Sequence, residues 1–208
     1  MKLDLARHAL AAIEAAEAEP RTRRASRLLA LTVVRPAVVR GAAWSEFEGI
    51  DWSTGAAEAP VWRVPPARMK LVLSRKDDEA FEHVVTLSSQ AVALLLEIRA
   101  AAAAGPLLFP NRDDPRRPIG KNALGDLYAR AGLAGRHVPH GWRAAFSTIM
   151  NERHRGDRQV IDLALAHTPK DKVEAAYNRA DHMERRRELL QEWADLLLGP
   201  CNLGSTPF

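Results

Sequence analysis

Three short runs rich in branched residues, at 61–64, 69–73 and 83–87, interrupt a chain whose other apolar residues recur at helical spacing. They read as a small antiparallel sheet, and the polar stretch 74–82 between the last two as a mobile loop or long hairpin turn. On the N-terminal side, Leu3, Ala6, Leu10 and Ile13 mark one amphipathic helix that Pro20 closes. A second helix runs from about Thr22 to Val34. It stops at Arg35 because the residue before proline disfavours helix, and Pro36 can open another short one.

Beyond the sheet, Ser88 or Ser89 can cap a helix carrying Val92, Leu95, Leu96 and Ile98 that ends at Gly105 and Pro106. Further helices are expected over 122–131, 142–153, 158–166 and 184–198. The fold class is therefore mainly α with one small antiparallel sheet (α+β). Trp142 is expected to pack on a helix face, and Trp44, Trp52 and Trp62 to anchor the sheet.

At 208 residues the chain suits one well-cored domain. A net charge of +4 permits an anionic partner without proving one, so the placement of charge matters more. Basic residues cluster at Arg21, Arg23, Arg24 and Arg27, at Arg112, Arg116, Arg117 and Lys121, and at Arg153, Arg155 and Arg158. Solvated helix faces explain any one of these clusters. The single cysteine, Cys201, excludes an intrachain disulfide and a cysteine metal site, and the alanine-rich start is too charged for a signal peptide or membrane span. A cytoplasmic protein with no membrane contact is expected.

Phosphate-binding glycine loops and serine-esterase elbows are missing from the sequence. What stands out is His140-Gly141-Trp142-Arg143, then Leu165-Ala166-His167, then Ala175-Ala176-Tyr177-Asn178-Arg179. His137 and His140 have no matching carboxylate or cysteine ligands, so no metal is expected, and no cofactor either. Of the two tyrosines, Tyr128 falls on the apolar face of an expected helix and suits packing, whereas Tyr177 lies in a charged neighbourhood.

Together with Arg35 after an apolar helix and Lys70 in the segment Arg68-Met69-Lys70, these boxes resemble the tyrosine recombinase (phage integrase) family, in particular its branch related to satellite phage P4. The likeness covers nearly the whole chain. It implies a catalytic domain at 1–199 with a tail at 200–208, lacking the core-binding and arm-binding domains that such integrases carry N-terminally.

The resemblance implies site-specific recombination of double-stranded DNA attachment sites, in which Tyr177 forms a 3′-phosphotyrosyl link and a 5′ hydroxyl departs. Arg35 and Arg143 would hold the phosphate, with His167 hydrogen-bonded to it. His140 would transfer the proton of Tyr177, and Lys70 would protonate the leaving oxygen. Residues of opposite ends of one helical turn, His140 and Arg143 share a face if the helix reaches back that far.

Self-association on DNA, as a tetramer, is the family expectation. The apolar stripe Leu189, Leu190, Trp193, Leu196 and Leu197 packs either on its own domain or on a neighbouring protomer. One departure stands at Thr32-Val33-Val34-Arg35-Pro36-Ala37-Val38, where the family typically reads Thr-Gly-x-Arg-x-Gly-Glu. The lost acid at Val38 keeps open a catalytically weakened or inactive DNA-binding remnant, and a DNA-relaxing topoisomerase uses related chemistry.

Overall fold

The computed structural model describes residues 2–78, 81–102, 105–166 and 182–201. Helix α1 (Leu3–Ala15) buries Ala6, Ala9, Leu10 and Ile13, the spacing of a single helical face. Helix α2 (Pro20–Thr32) opens on a proline, whose missing N–H costs nothing at a helix start, and buries residues around most of its circumference. It is central for that reason, touching α1 and four later helices.

Helix α2 stops at Thr32, two residues short of the expected end. The next residue, Val33, is left-handed (φ 47°) and donates its N–H to Leu29 O. A branched residue there is strained by roughly 1–2 kcal/mol, which its full burial offsets. Arg35 is extended, as the residue before Pro36 should be, and α3 (Pro36–Arg40) follows.

Three antiparallel strands form the sheet in the order β1 (Phe47–Ile50), β2 (Ala57–Val64), β3 (His83–Thr86). Trp62 on β2 pairs with both Phe47 and Val85, and its ring stacks on Phe47 at 5.1 Å. The expected strand at 69–73 does not form. Pro65 and Pro66 withhold two ladder donors and turn the chain into a 3-10 turn at Pro66–Arg68, and a second one follows at Leu73–Arg75. Val72 and Leu73 are left exposed.

The third strand is β1 instead, which carries a bulge between Glu48 and Ile50. Gly49 is required in it. Its φ is 73°, and a Cβ would stand 2.4 Å from the Glu58 carbonyl oxygen.

Ser88 caps α4 (Ser89–Ala100), its Oγ accepting the Ala91 N–H. After α5 (Ala123–Arg130) come α6 (Gly141–Arg153), α7 (Arg158–Ala164) and α8 (Met183–Leu198), close to the expected bounds. The α8 stripe of Leu189, Leu190, Trp193 and Leu197 is buried within this chain, and Trp193 Nε1 donates to Ala30 O of α2 at 2.8 Å. Arg186 of the same helix donates to Val84 O and so docks α8 on β3. Among the described residues no helix is long and apolar enough to cross a membrane.

Candidate functional site

Packing fixes the rotation of α6 about its axis. Trp142 is fully buried and donates Nε1 to Tyr128 Oη at 2.5 Å, while Ser26 Oγ shares a second hydrogen bond with that oxygen at 2.9 Å. The His137 ring lies between Tyr128 and Trp142, with centroids 5.8 and 4.6 Å away. Gly141 must therefore lack a side chain, because a Cβ would meet the His137 ring at 2.8 Å. His140 is the N-cap residue with helical dihedrals, and its carbonyl accepts the Arg143 N–H at 3.3 Å, so the helical turn does reach back to it.

With α6 held this way, Arg143 points into the space between α2 and α7. Its Nη1 donates to Val33 O at 2.9 Å and its Nη2 to Leu165 O at 2.5 Å. Arg35 reaches the same helix end, with Nη2 3.5 Å from Ala166 O. His83 of β3 is buried, and its Nε2 has no hydrogen-bond partner. Two consecutive peptide groups at the end of α7, those of Leu165 and Ala166, thus engage two arginines from two parts of the fold.

Charge in this region is one-sided. Among the described residues, no ion pair takes up Arg35 or Arg143. Burial, and then the nearby Arg35, push Arg143 down to about 10, which still leaves it charged near neutral pH. Burial lowers Arg35 as well. His140 is lowered first by burial, then by the positive charges of Arg143, Arg35 and Lys70, so it is held neutral and able to accept a proton.

A guanidinium has five N–H donors, and Arg143 commits two of them to carbonyls. The remainder, with those of Arg35, form a cradle suited to an anion with several oxygens.

Four of the expected site residues, Arg35, Lys70, His140 and Arg143, therefore share one electrostatic neighbourhood. His167 and Tyr177 lie outside the described residues. Lys70 is exposed and sits in an irregular turn, not the strand expected for it. Its backbone is steadied from Arg68, whose Nη2 donates to Glu46 Oε2 at 2.5 Å and Nη1 to Val38 O at 3.2 Å. Glu46 Oε2 also accepts Trp62 Nε1 at 2.9 Å, which ties this turn to the sheet.

Tyr128 has the packing role expected of it, with its hydroxyl pushed up to about 12 by burial. The only sequence signal of the buried His83 is a histidine opening a run of branched residues.

Most of the first basic cluster is spent inside the chain. Arg21 and Arg23 donate to carbonyls of Pro110 and Ala16, Arg24 pairs with Glu97, and Arg27 with Glu14. Arg153 pairs with Glu192. Arg117, Lys121, Arg155 and Arg158 are exposed.

The family model described as "Phage integrase family" matches residues 4–184. The chain belongs to the phage integrase family. Among its relatives, prophage integrase IntA of Escherichia coli K12 is 38% identical over 167 residues, covering 80% of this chain and 36% of IntA. The integrase of Shigella phage Sf6 is 32% identical over 82% of this chain and 41% of its own length. That of enterobacteria phage P4 is 29% identical over 90% of this chain and 43% of its own length. This integrase-family chain thus spans less than half the length of these relatives. No solved structure matches it.

Proposed function

We propose that the chain is the catalytic domain of a tyrosine-type site-specific recombinase, which cuts and rejoins double-stranded DNA at attachment sites. The observation that carries the reading is the meeting of Arg35 and Arg143 at the end of α7 with donors to spare and no carboxylate partner among the described residues. A phosphodiester supplies the missing negative charge. Its non-bridging oxygens gain charge as a fifth oxygen approaches phosphorus, and two oriented guanidiniums stabilise that state more than the ground state.

The Tyr177 hydroxyl is the nucleophile in this reading. Its oxygen bonds to phosphorus, its proton passes to neutral His140, and the bond to the 5′ oxygen breaks. Lys70 gives that oxygen a proton, so a 5′ hydroxyl leaves and a 3′-phosphotyrosyl ester remains. His167 adds a hydrogen bond to the phosphate. Rejoining runs the same steps backwards with a different 5′ hydroxyl. Recombination requires self-association on DNA, a tetramer in this family.

A catalytically inactive DNA-binding remnant is the alternative that Val38 motivates. Its side chain is buried in α3. Against that alternative, the two arginines are oriented by the carbonyls of Val33, Leu165 and Ala166, none of which needs an acid at position 38.

The test is a nicked attachment-site duplex whose short 5′ fragment diffuses away after cleavage, trapping the covalent complex without divalent metal. The wild-type chain should accumulate the adduct and Tyr177→Phe should not. An adduct that survives in Tyr177→Phe and disappears in Tyr128→Phe would overturn the assignment of the nucleophile. DNA binding with no adduct from the wild type would favour the remnant.

A further inference from the structure

Arg35 and the proton donor Lys70 reach the site on two separate pieces of chain, the turn before α3 and the connection 65–82. Something must hold these pieces in register, because an acid displaced by about an ångström from the leaving oxygen loses most of its effect. Lys70 is exposed, and the backbone around it forms no sheet ladder. Its anchor lies two residues upstream.

The mostly buried guanidinium of Arg68 bridges two partners. Nη1 donates to the carbonyl of Val38 in α3 at 3.2 Å, and Nη2 donates to Glu46 Oε2 at 2.5 Å. The Val38 N–H in turn donates to the Arg35 carbonyl at 2.9 Å. Hydrogen bonds and one helical turn therefore lead from the backbone beside Lys70 to the backbone of Arg35. Glu46 is fixed as well, since Oε2 also accepts Trp62 Nε1 at 2.9 Å and the Ala43 N–H at 3.3 Å.

Gly41 keeps the space for this crossing. A Cβ there would stand 2.8 Å from Arg68 Nη1. Its φ of −93° is open to other residues, so the missing side chain serves the guanidinium and not the backbone. Burying such an ion pair brings little net stability, and Arg68 Nε is left without a partner. What the pair supplies is a fixed geometry.

We propose that Arg68 is a positioning residue, clamped between Val38 O and Glu46 through the gap at Gly41, that sets Lys70 in register with the phosphate-binding arginines. The inference rests on the strand-cleavage reading above and deepens it. Arg68 acts through Lys70 and requires no contact with DNA.

The experiment uses the full chain and the nicked trapping duplex, made with either oxygen or sulfur at the bridging 5′ position of the scissile phosphate. Adduct-forming rates are measured at saturating DNA, beside DNA affinity by fluorescence anisotropy and thermal unfolding. Arg68→Lys keeps the charge but cannot engage Val38 O and Glu46 together. It should slow adduct formation on the oxygen substrate roughly 10- to 100-fold. On the sulfur substrate the loss should be less than about threefold, because sulfur leaves with little need of a proton. Affinity should stay within about twofold, since every phosphate contact remains.

Gly41→Ala pushes the guanidinium aside while leaving its partners in the chain, and should show the same selective loss. Combined with Lys70→Ala, neither change should slow the oxygen substrate further, because residues that act as a unit are not additive. Equal slowing on both substrates, or additive losses with Lys70→Ala, would overturn the proposal and leave Arg68 a support of the fold alone. Wild-type rates in Arg68→Lys would overturn it too. If Arg68→Lys does not fold, Gly41→Ala decides the question by the same two readouts. A wild type that forms no adduct on either substrate counts against the cleavage reading, whereas a normal wild type with unaffected variants counts against Arg68 alone.

Discussion

Arg143 donates Nη1 to the carbonyl of Val33, a residue whose backbone is left-handed, at 2.9 Å. The unusual turn at the end of α2 is what aims that carbonyl at the guanidinium. Val33 holds this left-handed conformation without the backbone freedom that a glycine would bring. Lysine in place of Arg143 cannot reach Val33 O and Leu165 O together. Arg143→Lys should lose adduct formation by roughly 10²- to 10³-fold. It should also lose about 2 kcal/mol of stability from the stranded carbonyls. Wild-type cleavage in a folded Arg143→Lys protein would remove Arg143 from the phosphate cradle.

Tyr128→Phe should behave in the opposite way. It strands Ser26 Oγ and Trp142 Nε1 in the core, so the unfolding free energy should fall by about 1–3 kcal/mol in urea titrations. Below the melting range, adduct formation should stay within a few-fold of wild type. Loss of cleavage in well-folded Tyr128→Phe would mean that the core tyrosine has a second role.

Acid should weaken the fold earlier than carboxylate titration alone predicts. His83, His137 and His140 are all lowered from 6.5, in each case first by burial. The unfolded chain therefore takes up protons at a higher pH than the native one. The stability these groups confer is complete above about pH 6.5 and is lost as pH falls below that value towards their folded pKa values. Urea midpoints should drop between pH 7.5 and 5.5, with a smaller drop in His83→Asn. A flat profile would contradict the neutral buried ring.

Lys76, which follows the 3-10 turn at Leu73–Arg75, is the rival of Lys70 as proton donor, and a substrate in which sulfur replaces the bridging 5′ oxygen separates them, since that leaving group needs little protonation. Lys70→Ala should cleave ordinary DNA poorly and recover with sulfur, and Lys76→Ala should be near normal on both. Only Lys70 of the two adds its charge to the environment of His140. Glu46→Gln weakens the hold on Arg68, two residues before Lys70, and should cost about 2 kcal/mol for this mostly buried pair. Its cleavage defect should also shrink on the sulfur substrate. Exchanged behaviour of the two lysine variants would assign the acid to Lys76.

The helices were legible because burial and spacing agree: the faces of α1 and α8 and the serine cap of α4 follow directly from residue order. Strand β1 was hidden by Gly49, which reads as a breaker until Glu58 is known to approach it. The branched run at 69–73 misled for the converse reason, since two prolines upstream dictate the backbone before side-chain preference has any say. At the site, arginines and histidines could be picked out by type and spacing. Their anchors could not, because Val33, Leu165 and Ala166 act through main-chain atoms, and a carbonyl has no sequence signature.

That last feature bears on how such a site can change over generations. Every residue supplies a carbonyl, so substitutions at positions 33, 165 and 166 leave the acceptors in place provided the backbone path survives. What these positions must keep is shape and volume, not chemical identity. The two arginines are thus held by a frame that can drift in composition, and the positions most costly to alter are those where an insertion, a deletion or a proline would reroute the chain.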